Sequence, residues 1–141
     1  PIMLSDQFDI IINSEALAAM SGNYKLVVCL TENNITNWQK DGDIDDDSYV
    51  HKHVLRSFLT PTFGEDLANE EINNGDSFSN GFSPVISDLE NYNIDYSQNT
   101  LTLGNGNAGD WDLNNMYVLA YIYDESSNEI LQVEEKSLLN K

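Results

Sequence analysis

Tyr24-Lys25-Leu26-Val27-Val28-Cys29-Leu30-Thr31 decides how this chain folds. Tyr24, Leu26, Val28 and Leu30 fall on one side of an extended backbone, with Lys25 and Thr31 on the other. That period of two fits a pleated strand and no face of a helix. The same alternation runs through Gln7 to Asn13, where Phe8, Ile10 and Ile12 share a face, through Tyr49 to Phe58, and through Tyr117 to Tyr123. Branched and aromatic residues dominate these runs, as a half-buried sheet surface favours. Shorter strand candidates are Gly81–Ser87, Tyr92–Tyr96, Leu101–Leu103 and Glu129–Val133.

Between the runs stand turn residues. Asn73-Asn74-Gly75-Asp76 and Gly104 to Asp110 tolerate positive φ, and Asp124 to Glu129 reads as a hairpin connection near the C-terminus. Helix is expected only in Ser14–Met20, a short Ala-containing stretch, and in Gly64–Ile72, where Glu65 and Asp66 come early as a helix N-terminus prefers. Eight or so short strands with this punctuation give an all-β chain. The expected fold is a β-sandwich, immunoglobulin-like or jelly-roll-like, with one or two short helices. No linker or internal repeat divides the chain, so residues 1–141 form a single domain. A chain of 141 residues is long enough to bury a core without staples.

Six basic against 24 acidic side chains leave a net charge of −18. That field repels phosphate backbones, which excludes nucleic acid as a partner, and it repels anionic lipid surfaces as well. The single Cys29 allows no internal disulfide, no redox pair and no thiolate cluster, and its apolar neighbours predict an inert buried thiol. No apolar stretch approaches the length of a membrane helix, and no basic segment precedes an apolar one as in a signal peptide. Pro1 in place of Met predicts a mature product or a piece of something longer.

Four groups of residues carry possible chemistry. Asp41, Asp43, Asp45 and Asp47 crowd carboxylates at alternate positions, a pattern whose repulsion a calcium ion relieves. An EF-hand needs Gly where Asp46 stands and Glu where Lys52 stands, so the competing reading is a solvated acidic loop. His51 and His53, two apart in one strand, would present both imidazoles side by side, with Glu32 as a third zinc ligand if the two strands are neighbours. Packing against Tyr49 or Leu55 is the plainer fate of such a His. Arg56 is the only Arg in the chain, and a pair with Glu32 that pins two strands together outweighs an anion site. Trp38 and Trp111 read either as half-exposed platforms for a sugar or peptide, or as covers at the end of the core. No nucleophile elbow, phosphate loop or dinucleotide fingerprint appears.

Leu30-Thr31-Glu32-Asn33-Asn34-Ile35, Trp38-Gln39 and Tyr49-Val50-His51-Lys52-His53-Val54-Leu55-Arg56 together resemble the C-terminal region of the Omp28-related outer-membrane proteins of Bacteroidetes. Gly64-Glu65 and a final hairpin from Tyr117 to Val133, with Ile130-Leu131-Gln132 near its end, extend the likeness across most of the chain. The block carrying Glu32, His51, His53 and Arg56 is its most specific part. The resemblance implies an envelope-anchored or surface-exposed lipoprotein that acts as an adhesin or receptor, with a protein or glycan ligand at the cell surface. It does not imply a transmembrane barrel. Many such relatives carry a thioredoxin-like half with Cys-x-x-Cys, absent here. The expected function is therefore noncatalytic binding without a cofactor, calcium being the one candidate ion. A zinc hydrolase built on His51, His53 and Glu32 is the alternative, and a module supporting a thioredoxin-like partner is another. Glu32 is expected to meet either the His pair or Arg56, not both.

Overall fold

The computed structural model describes residues 6–69, 71–100 and 108–139. The run Tyr24–Glu32 forms β2, the centre of a five-stranded antiparallel sheet. On one edge it pairs without interruption with β8 (Met116–Asp124), from Tyr24 opposite Asp124 to Glu32 opposite Met116. On the other edge, β5 (Val54–Phe58) pairs with Cys29 to Glu32, and the short β6 (Glu65–Asp66) pairs with Lys25 and Leu26. The gap between β5 and β6 is closed by the connecting loop. Leu59 N donates to Val28 O at 2.8 Å, and Val28 N donates to Thr60 Oγ1 at 3.2 Å. Gly64, at φ +83°, lets this loop lie against β2, since a Cβ there would sit 2.7 Å from Leu26 O. The hairpin partner of β8, β9 (Glu129–Ser137), forms the far edge, joined by the turn expected at Asp124–Glu129.

Leu26, Val28 and Leu30 on β2, with Met116 and Val118 on β8, form the floor of the core. Above them lies a second layer of mixed construction. A ribbon of β1 (Ile10–Glu15) and β7 (Ser77–Phe82) contributes Ile10, Ile12, Phe78 and Phe82, and the first turns of α1 (Ile86–Asn99) contribute Ile86 and Leu89. The fold is thus mostly β and sandwich-like, as the alternation predicts, with one α-helix among the described residues. Val27, Cys29 and Thr31, on the opposite face of β2, are buried too. They are flanked on β8 by Tyr121, Leu119 and Tyr117, directly across the ladder.

The helix is not where the sequence suggests. Gly64–Ile72 holds β6 and an isolated bridge from Ile72 to Met20, and Ser14–Met20 opens on the end of β1. Tyr92–Tyr96, expected as a strand, lies inside α1, and Gly81–Ser87 runs from the end of β7 into the start of that helix. Leu101–Leu103 and most of the Gly104–Asp110 segment lie outside the described residues. The segment between β2 and β5, expected as a loop before one long strand, is a separate two-stranded hairpin, β3 (Ile35–Asp41) and β4 (Ile44–His51). Asp41-Gly42-Asp43-Ile44 makes its turn, with Gly42 at φ +61° in the first central position, as a type II′ turn requires. This hairpin is an arm, since every residue of β4 before His51 is exposed.

Candidate functional site

On the core face of β2, Glu32 is the next residue after Leu30, so its carboxylate enters the end of the apolar stripe. A charge there needs a partner. β5 supplies it through a register break: Leu30 faces Ser57 but Thr31 faces Leu55, leaving Arg56 as the extra residue of a bulge. Arg56 Nε donates to Glu32 Oε2 at 2.7 Å, with both side chains more than nine-tenths buried. The other oxygen, Oε1, accepts from the Asp112 backbone N–H at 2.9 Å. Trp111 lies under the guanidinium, 5.6 Å from ring centroid to Cζ, where the negative face of the ring favours the cation. Trp111 is itself held by Nε1 donating to Ala108 O at 2.8 Å and by its backbone N–H donating to Glu90 Oε1 at 3.1 Å. Asn93 Nδ2 donates to Arg56 O at 2.7 Å. Four segments, β2, β5, α1 and residues 108–112, therefore close on one ion pair. Trp111 is buried beneath this clamp, so of its two readings the cover of the core holds and the half-exposed platform does not.

The two imidazoles part company. The strand expected from Tyr49 to Phe58 breaks at Lys52–His53, where His53 takes φ +52°, so the alternation that would set them side by side does not hold. His51 meets Tyr49 edge to face at 4.8 Å between ring centroids. His53 Nδ1 lies 3.3 Å from Glu135 Oε1 on β9, and its backbone N–H donates to Asn33 Oδ1 at 2.7 Å. Glu32 meets Arg56. Of the acidic run, Asp43 sits in the hairpin turn and Asp41 pairs across it with Ile44. Asp45 faces Lys40, while Asp46 Oδ1 and Asp47 Oδ1 accept from Ser48 at 2.9 and 3.1 Å. An extended strand spreads these carboxylates at about 3.3 Å per residue instead of folding them around a point. Among the described residues, no three His, Cys, Asp or Glu side chains are grouped to hold a metal.

Just outside the clamp lies an open groove of about 460 Å³, between the arm, β5 and α1. Trp38 and His51 from the arm line it, with Arg56 from β5 and Asn93 and Tyr96 from α1. Trp38 stands opposite a second register break, whose extra residue belongs to β4: Asn37 faces Tyr49 but Gln39 faces Asp46, so Asp47 and Ser48 together oppose Trp38. The Trp38 N–H turns out of the ladder and donates to Asn37 Oδ1 at 2.8 Å. Trp38 as a residue is 54% exposed. Along α1, Ile86 and Leu89 touch the core, and the stripe continues through Asn93 to Tyr96 and Ser97 at the groove. The Asn93 and Tyr96 contributions were not foreseeable while Tyr92–Tyr96 read as a strand; the signal present was the i, i+4 spacing of Tyr92 and Tyr96, whose rings stack at 6.4 Å.

The chain matches the family model described as outer membrane protein Omp28 over residues 4–141. It belongs to the Omp28 family. Among solved structures it is similar to a domain of the outer membrane lipoprotein Omp28 from Porphyromonas gingivalis, at 13% identity and a TM-score of 0.43, the alignment covering 98% of this chain and 90% of that one. No curated protein matches. Membership of the Omp28 family places the chain at the outer membrane or the cell surface. The five-stranded sheet is open, running from β5 to β9 without closing, and among the described residues no helix is long and apolar enough to cross a membrane.

Proposed function

We propose that this Omp28-family chain is a noncatalytic binding domain that holds a protein or glycan ligand of the cell surface in the groove between the arm and α1. One observation carries the reading: two register breaks, one with its extra residue at Arg56 and one in β4 directly opposite Trp38, fall at residues that line this groove. Bulges cost ladder hydrogen bonds and cluster where a side chain must be re-aimed. A second groove of about 370 Å³ beside β1 is walled by the regular parts of β1, β8 and β9. A binding role without catalysis is supported by how the candidate catalytic groups are occupied. Both Glu32 oxygens have partners inside the clamp, and His51 and His53 have separate partners. No cofactor enters the proposal.

Arrayed glycoproteins, which present peptide and carbohydrate together, test it. The chain is expected to be retained on a subset of spots and the Trp38→Ala variant to be lost from them, with the same melting temperature. Equal retention of both proteins would remove the groove from the function.

A further inference from the structure

The groove has a chemistry unlike the rest of the surface. In a chain of net charge −18, none of its described lining residues is a carboxylate. Its one formal charge, Arg56, is already neutralised by Glu32 at 2.7 Å. A cationic ligand therefore finds no counter-charge in the groove, and an anionic one meets the negative field of the whole molecule. The walls offer two exposed aromatic residues, Trp38 at 54% and Tyr96 at 44% exposure, the His51 imidazole, and the short polar side chains of Asn37, Asn93 and Ser97. Rings give a flat apolar face, and amides and hydroxyls give both donors and acceptors. A molecule with apolar C–H faces and a rim of neutral hydroxyls matches that wall on both counts. At about 460 Å³ the groove has the size of a small-ligand site.

We infer that the ligand of this groove is a neutral carbohydrate, stacked on Trp38 and Tyr96 and hydrogen-bonded by Asn37, Asn93 and Ser97; this rests on the groove being the binding site. Trp38 is the principal platform, because the arm gives up regular pairing at that residue to present it. The carbohydrate's hydroxyls replace water on the amides, and its C–H face covers the indole. Since no net charge is matched, binding is insensitive to salt.

The decisive measurement takes a glycoprotein that retains the chain and separates its two components. Calorimetric titration is done with its released neutral oligosaccharides and, in parallel, with the deglycosylated polypeptide. The oligosaccharides are expected to bind, with Trp38→Ala weakening them at least tenfold, Tyr96→Ala about tenfold and Trp38→Phe less than Trp38→Ala, all three variants melting as the parent does. Binding confined to the deglycosylated polypeptide would overturn the carbohydrate assignment and leave the groove as a binding site. Binding confined to sialylated or sulfated oligosaccharides, falling steeply with salt, would overturn neutrality. Binding of neither component would overturn both the ligand class and the groove.

Discussion

β2 and the β3–β4 arm are consecutive in the chain and held by different means. β2 is paired on both edges and covered on both faces, so Leu26, Val27, Val28 and Leu30 are almost wholly buried. The arm is paired only with itself, and its β4 carries Asp45-Asp46-Asp47, residues depleted from strands in general. It forms because Gly42 supplies the turn and local hydrogen bonds to Ser48 and Trp38 satisfy backbone groups that the ladder leaves out. The lesson is that a strand in this molecule is secured either by tertiary burial or by turn chemistry. Substitutions should therefore cost very different amounts in the two regions.

The largest difference is expected at the clamp. Arg56→Ala leaves the Glu32 carboxylate buried and unpaired, and should lower unfolding free energy in urea by about 3–5 kcal/mol. Glu32→Met with Arg56→Met should recover most of that loss, because the double replacement removes the stranded charge along with the pair. A loss as small as that of a surface pair would break the comparison, since the clamp would then behave like the arm.

Two glycines give a matched test. Gly64 and Gly42 both have positive φ, at +83° and +61°, but a Cβ on Gly64 meets Leu26 O at 2.7 Å while one on Gly42 meets nothing within 4 Å. Gly64→Ala should cost on the order of 2–3 kcal/mol, from the backbone clash added to the left-handed strain. Gly42→Ala should cost about 1 kcal/mol, from strain alone. Thermal melts of the two variants should separate clearly, and equal shifts would mean the loop before β6 moves away from β2 as freely as a hairpin tip does.

Cys29 sharpens the description of the body. Burial pushes its thiol pKa above the ordinary value. The sign follows: the neutral thiol is favoured in the folded state, so this contribution to stability is complete below the unfolded thiol's pKa of about 8.5 and is lost as pH rises toward the folded value. A thiol reagent at pH 8 should leave the native chain unlabelled and label it fully in denaturant. Labelling of the native chain would show that the covered reverse face of β2 opens readily.

The smallest effects belong to the arm's acids. Asp43→Asn with Asp45→Asn should change stability by no more than about 0.5 kcal/mol, as exposed positions do. Calcium and sodium chloride at matched ionic strength should raise the parent's melting temperature equally, by screening. A calcium-specific rise that disappears in the double variant would make the acidic run an ion site.

The alternation that located β2 and β8 succeeds because both strands lie on the core and are bounded by clear turn residues. It fails at Ile86–Asn99, where Tyr92, Ile94 and Tyr96 alternate as in a strand and Asn and Tyr are poor helix formers. What makes that stretch helical is remote in sequence: Ile86 and Leu89 dock on the core, and Asn93 bonds Arg56 O. The rarity of Arg56 pointed to Glu32, but Asp112 and Trp111 join that pair from about 80 residues beyond Glu32, a distance that no local pattern spans. The bulge at Arg56 and the one in β4 opposite Trp38 are likewise invisible to a strict period of two. They arise where two strands fall out of step, a property of the pair and not of either strand.

The arm leaves and re-enters the body at almost the same place. Asn34 at its start and His53 at its end both take left-handed backbone conformations, Ile35 and His51 are paired across it, and the His53 N–H is fastened to Asn33 Oδ1 at 2.7 Å. Whatever lies between those two feet is closed at its base independently of its own length or chemistry, and a longer closed segment adds only a slowly growing entropic cost. The arm is in this sense a socketed cassette: its tip can diverge, lengthen or change charge while β2 and β5 stay in register, so the body can persist through changes in what the surface displays.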